Sequence, residues 1–342
     1  MKSVLVTTPS APISPRISSH RGAQGVIYAD QIHSAGYKVT INVGGEISDY
    51  TPWDIVAVYH GNDWGGTVNM FGGVKAYASI DQLVSLSKFK GEVWSLAIPF
   101  PDYAGMIKPR VDKEPEAHPL WKDVDWNNLA VMPKAAKQVD TNALVESRAE
   151  YLRLAFGDSH AISMYRTGWQ VNSVPFKTLY GALELGLKSF LKPGAKYVEL
   201  ESYFGNIDIR HHLMRQPDPK KATRDLVRRY VAQAKELRES TQSNVIRIWE
   251  PLPIENESRK LPKTGYYKGT PFYGSWSERN EIRQVFVEEL LANRSSGLEI
   301  FQWTGPLLNS QGELNFESME KPQSVHLSRA SYPHWQGKNW NF

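Results

Sequence analysis

The sequence predicts an α/β protein built as two α/β/α layered domains with mostly parallel sheets. Three observations carry this. Apolar strand-like runs alternate with helix-patterned segments through the first half of the chain. The same alternation restarts near residue 150 after a segment rich in Pro, Asp and Trp. The chain has 342 residues with 41% hydrophobic and 22% charged composition, which suits two soluble cores. The domains are placed at residues 1–145, Rossmann-like with a linker, and 146–342.

The elements follow in order. "SVLVTT" reads as a strand, "GAQGVIYADQIHSAG" as a helix stopped by glycine, and "YKVTINV" and "WDIVAVYHG" as strands, the second buried on both faces. "SIDQLVSLSKF" reads as a helix and "GEVWSLAIPF" as a strand. Residues 101–140 read as a linker or wrapping segment. In the second half, "LRLAFGDS", "AKYVELESYFG", "NVIRIWEPLP" and "GLEIFQW" are strands of a sheet of roughly five. Between them, helices are predicted for "FKTLYGALELGLKSFL", for Lys220 to Ser240 and for "SWSERNEIRQVFVEELLANRSS". Ser275 and Glu278 there are spaced as a capping box. Strand–helix–strand order implies right-handed crossovers, with ligands at the carboxyl ends of the strands.

Net charge is +4. Residues 1–145 carry 13 Lys/Arg against 14 Asp/Glu, so the basic excess lies in the second half and is densest over 220–238. A solvated helix face explains that density, with nucleic-acid or phosphate binding as the alternative. The chain has no cysteine, which excludes disulfides, thiol catalysis and cysteine metal sites. The N-terminal apolar run is too short for a signal peptide, and no window reaches the length of a membrane span. A cytoplasmic protein is expected, with no cofactor; its oligomeric state is not readable.

Three blocks fall at predicted strand ends. Ser159 follows "LRLAFGD", "GNIDIRHH" (Gly205 to His212) follows "YVELESYF", and "KPQSVHLSRA" follows the last strand. A serine where a strand ends and a helix begins is where an α/β protein presents a nucleophile, provided a base accompanies it. His326 is the candidate base. The two histidines and Asp208 of the middle block also allow a zinc reading, against which stands the divergence of the adjacent His211 and His212 on regular backbone.

On these blocks, residues 150–332 resemble the SGNH/GDSL hydrolases. The resemblance implies a flavodoxin-like domain in which Ser159 of "GDS" is the nucleophile and "GNID" at Gly205–Asp208 helps to form the oxyanion hole. It further implies that "QSVH" at Gln323–His326 supplies the base. The block spacing of about 46 and then about 120 residues fits. The family's third-block Asn stands second here (Asn206), Ile207 takes the third place, and the usual Asp before the histidine is Gln323. An amide orients imidazole without stabilising imidazolium, so a Ser–His dyad, or a carboxylate from Asp208 or Glu320, is required. Gly168 and Gly181 are candidates for the second-block glycine. Asp158, His160, Gly205, Arg210 and His212 are read as substrate-binding surroundings, Arg210 pairing with Asp208 or meeting a substrate anion, with packing or helix-start duty as the plainer role for His160.

The implied function is a serine esterase working through an acyl-enzyme on an ester-bearing small molecule or glycan. The alternatives are an acyltransferase acting on a carbohydrate or nucleic-acid polymer, and a non-catalytic binding or structural protein of the same fold. The aromatic, basic insertion from Glu250 to Trp276 reads as a lid or as a structural wrap. The first domain has a looser similarity to nucleotide-sugar glycosyltransferases in "RISSHRGAQGVIYADQIHSAGYKV". Its Gly65, Gly66, Gly72 and Gly73 read as turn glycines or as a phosphate cradle.

Overall fold

The computed structural model describes residues 1–8, 20–43, 49–59, 68–70, 74–76, 80–97, 99–147, 150–254, 269, 273–320 and 326–335. The chain divides into two compact units, Met1–Arg148 and Ala149–Gly337.

The first unit contains strands β1 (Ser3–Thr8), β2 (Lys38–Val43), β3 (Ile55–Tyr59), the short antiparallel pair β4 (Val68–Met70) and β5 (Val74–Ala76), then β6 (Glu92–Leu96) and β7 (Lys137–Val139). Its helices are α1 (His20–Ser34), α2 (Ile80–Lys88), α3 (Tyr103–Val111), α4 (Trp126–Ala135) and α5 (Thr141–Glu146). The main sheet is parallel in the order β2-β1-β3-β6-β7. Both faces are covered. Val4, Val6, Ile55 and Ala57 pack with Ala29 and Ile32 of α1 on one side. Leu5, Val56 and Val58 pack with residues of α2, α3 and α4 on the other. Every residue of β3 is buried, as a central parallel strand requires.

Residues 101–140 are not a linker. They form α3, α4 and β7, and bury Tyr103, Ile107, Trp121, Leu129 and Met132 in the core. Asp102 and Asp125 cap the two helices by accepting the amides of Gly105 and Asn128. Pro109 and Pro133 lie inside these helices, which is why the segment reads as a loop from composition.

The second unit contains β8 (Leu152–Gly157), β9 (Gln170–Ser173), β10 (Tyr197–Tyr203), β11 (Val245–Trp249) and β12 (Leu298–Phe301). They form a parallel sheet in the order β12-β11-β10-β8-β9. The short edge strand β9 is the one the sequence reading lacked. Helices α6 (Leu179–Leu185), α7 (Pro219–Thr241) and α8 (Trp276–Ala292) share one apolar cluster with Leu152, Leu154, Phe156, Leu200, Ile246 and Ile248. The predicted helix over "FKTLYGALELGLKSFL" is shorter than expected. It stops at Gly186, whose φ of 80° lies in the left-handed region, and continues as a 3-10 turn, Leu187–Phe190. The capping box at Ser275 and Glu278 is formed.

The alternate positions of the second sheet carry charge. Glu201 on β10 is buried and accepts from Arg166 Nη2 at 2.7 Å, from Trp249 Nε1 at 3.0 Å and from Arg247. Arg247 also meets Glu299 across the β11–β12 pair. The basic face of α7 is largely neutralised. Lys220 pairs with Glu281, Arg228 with Glu289, Arg229 with Glu184 and Lys221 with Asp225. Among the described residues, no helix is long and apolar enough to cross a membrane.

Candidate active site

In each main sheet the strand order reverses between its first and third strands, and in the second unit these are β8 and β10. Side chains at the carboxyl ends of such a pair face a ready-made crevice. After β8 comes Gly157-Asp158-Ser159, and after β10 comes Phe204-Gly205-Asn206. The two strand ends are tied by a bond from Asp158 N to Tyr203 O of 3.0 Å. Gly157 has to be glycine: a Cβ there would drive into the carbonyl of Tyr203. Gly205, at φ 113°, is held where a side chain would both be strained and meet the Phe286 ring.

Ser159 opens a 3-10 helix, Ser159–Met164, whose N-cap is Asp158. The cap leaves Ser159 at the exit of the strand with its Oγ 3.0 Å from His326 Nε2. His326 stands 167 residues away in sequence, so only the fold brings the two together. Its own anchoring is local. Leu327 bridges Met319 in an antiparallel pair, and Glu320 N donates to His326 O at 3.0 Å. Downstream, Tyr332 and Trp335 are buried, and Trp335 Nε1 donates to Tyr165 O at 2.7 Å.

That antiparallel pair decides which group faces the second ring nitrogen. His326 Nδ1 lies 3.8 Å from Glu320 Oε1, with both side chains largely shielded. Gln323 lies outside the described residues. Among the described residues the carboxylate at His326 is therefore Glu320, six positions upstream rather than three. Burial holds the His326 pKa below the usual histidine value, against the opposing pull of Glu320; the nearby His160 lowers it further.

Asp208, the other carboxylate considered for this role, has different work. Its two oxygens accept the backbone N–H groups of Leu179 (2.7 Å) and Tyr180 (3.1 Å), at the start of α6. Burial raises its pKa to about 6, although those amides pull the other way. Arg210, in the π-helical turn Asp208–His212, is also buried. Burial lowers its pKa, while Tyr203 and Asp158 favour its charge. His212 is half-exposed, and burial followed by Arg215 lowers its pKa. Among the described residues no cluster of three or more His, Asp or Glu side chains could hold a metal ion.

Asn206 is fully buried, and its Oδ1 accepts Leu252 N at 2.9 Å. Its Nδ2 has no hydrogen-bond partner among the described residues. Asp158 and His160 are buried side by side. Asp158 Oδ1 accepts from His160 N at 2.8 Å and lies 3.0 Å from His160 Nδ1. Gly168 sits in the turn before β9 at φ 82°, and Gly181 lies in the first turn of α6, where its amide donates to Thr178 Oγ1. The segment from Glu250 to Trp276, read as a lid or a structural wrap, is described only over 250–254, at 269 and over 273–276, and Gly65, Gly66, Gly72 and Gly73 lie outside the described residues.

No protein-family model matches the chain, and no curated protein matches it. Solved structures give distant likenesses. One is a provisionally described platelet activating factor from Streptococcus pneumonia, 20% identical, covering 57% of this chain and 85% of that one at a TM-score of 0.41. Another is T4 phage BGT in complex with UDP and Mn2+, 11% identical, covering 60% of this chain and 61% of that one at a TM-score of 0.28.

Proposed function

We propose that the second unit is a serine esterase of SGNH type, acting on a carboxylic ester through an acyl-enzyme on Ser159. The observation that carries this reading is the 3.0 Å approach of His326 Nε2 to Ser159 Oγ at the reversal point of the sheet. A serine hydroxyl becomes a competent nucleophile only when a base can take its proton, and such a base must lie within hydrogen-bond reach.

The proposed roles are these. With Nδ1 protonated toward Glu320, His326 Nε2 accepts the Ser159 proton as Oγ attacks the ester carbonyl. The imidazolium so formed is stabilised by Glu320, whose Oε1 lies 3.8 Å from Nδ1. The developing oxyanion takes donors from the backbone N–H of Ser159 and from Asn206 Nδ2, the buried amide nitrogen with an unmade bond. The C–O bond to the alcohol breaks, and the alcohol leaves with the proton from His326. Water, deprotonated by the same nitrogen, then attacks the acyl-enzyme, releasing the acid and restoring Ser159.

A fluorophosphonate probe with intact-mass and peptide mapping tests this. Expected is a single adduct on Ser159, absent in Ser159→Ala, together with short-chain aryl ester hydrolysis that falls at least about a thousandfold in the same variant. Labelling that survives Ser159→Ala would assign the chemistry to another serine. No labelling of the folded wild type would end the esterase reading in favour of a binding protein.

A further inference from the structure

The esterase reading does not use the second imidazole beside the nucleophile. His160 directly follows Ser159, is buried, and sets its ring 5.1 Å from that of His326, centroid to centroid and inclined by 51°. Its other flank meets Tyr203 of β10 at 5.7 Å. Two buried imidazoles this close are costly if both are charged, since like charges at about 5 Å repel strongly in a partly desolvated site.

His160 does not float. Asp158 Oδ1 grips both its backbone N–H and its Nδ1. A carboxylate oxygen accepts, so Nδ1 carries a proton and the neutral ring is the Nδ1–H tautomer. The same carboxylate caps the 3-10 turn that presents Ser159. One residue therefore fixes the nucleophile and the second imidazole together, which couples the placement of His160 to that of Ser159.

We propose that His160, gripped by Asp158, is a positioning residue for His326: it backs the ring of the base and sets the acid limit below which His326 stops accepting a proton from Ser159. Among the described residues, the charged and titratable groups acting on His326 are Glu320 from its own hairpin, and Asp158 and His160 from the turn after β8. Glu320 and Asp158 favour the imidazolium, while His160 opposes it. The direction follows. The Nδ1–H ring can still take a second proton at Nε2 in acid, and that charge opposes one on His326 at this distance; replacing His160 by a neutral side chain removes the opposition, so the imidazolium of His326 gains stability and its titration moves up in pH.

The proposal rests on the assignment of His326 as the base, yet its test reads the ring directly. In the full chain, the imidazole nitrogens and Hε1 protons of His326 and His160 are followed by NMR from pH 4 to 9. Expected in the wild type is the Nδ1–H tautomer at His160. In His160→Gln, the His326 midpoint is expected to rise by about one pH unit, with the acid limb of kcat/KM rising by the same amount and KM little changed. An Nε2–H tautomer at His160 overturns the proposal without any variant, so it stays testable if His160→Gln does not fold. A His326 midpoint that does not move in a folded His160→Gln also overturns it, even if activity drops, because that is the mark of packing alone. An upward midpoint in a protein that no fluorophosphonate labels would support the coupling and reject the esterase reading, so the two failures are separable.

Discussion

The two sheets of this protein have the same strand order yet opposite side-chain chemistry. In β3 of the first sheet all five residues are buried, and Val56 and Ala57 face different apolar clusters. In β10 of the second, Leu200 and Ser202 face the helices, while Glu199 and Glu201 point the other way into arginines. At the reversal point of the second sheet the turns carry Ser159 and Asn206, with His326 brought in from the C-terminal segment. The loops after β1 and β3, residues 9–19 and 60–67, lie outside the described residues. One topology thus accommodates a sheet apolar on both faces and a sheet with one charged face. The topology supplies a crevice, and only the residues placed in it supply chemistry.

The comparison can be broken most severely at β3. Val56→Glu places a carboxylate in the apolar cluster that Val56 shares with Leu5, Leu83 and Phe89. It should cost more than about 4 kcal/mol and leave the first unit unfolded in thermal and urea melts. Survival with a normal melt would mean that the first sheet is not closed on both faces. At the equivalent depth in the second sheet, Glu201→Ala removes the acceptor shared by Arg166, Arg247 and Trp249. About 3 kcal/mol should be lost, because Arg166 is left without its carboxylate while Arg247 keeps Glu299. A loss under 1 kcal/mol would show that water replaces it.

Glu320→Gln sharpens the comparison at the site itself. Turnover of an aryl ester should fall about a hundredfold, near 3 kcal/mol of barrier. Glu320 raises the His326 pKa, so its removal should also move the acid limb to lower pH, opposite to the shift expected for His160→Gln. Unchanged turnover would leave His326 working without a carboxylate. A subtler effect belongs to Asp208. Its pKa is raised on folding to about 6, so its protonated form is favoured in the native state. The associated stability, up to about 3 kcal/mol, is fully present below the unfolded value near 4 and is lost as pH rises through 6. The stability advantage of wild type over Asp208→Asn should accordingly narrow between pH 4 and 7 in denaturant titrations; a widening gap would contradict this. The smallest effect is expected at Arg153, which pairs with Glu199 on an exposed part of the second sheet. Arg153→Ala should change stability by less than about 1 kcal/mol, and less again in high salt.

Much of this was readable before any coordinates. Short apolar runs, a helical pattern from Leu226 to Leu237, and the Ser275–Glu278 box are local signals, and local signals translate directly into backbone. Ser159 at a strand exit is of the same kind, since strand and turn are written in neighbouring residues. The segment 101–140 was misread because Pro109 and Pro133 resemble breaks, whereas Asp102 and Asp125 carried the readable helix starts. The edge strands β7 and β9 are only three and four residues long, too short to show a period.

By itself the sequence determined the α/β class and the placing of Ser159 after a strand, because each depends on residues close together in the chain; the distant histidine, His326, was singled out only by the resemblance of its block. Only the tertiary structure decided what surrounds that histidine. Glu320 faces His326 through an antiparallel pairing that no fixed spacing announces. Asp208 is committed to amides about thirty residues upstream, and His160 meets a ring far along the chain. Which carboxylate answers which charge is set by distances across the fold, and electrostatic energy depends on those distances and on burial, not on position along the chain.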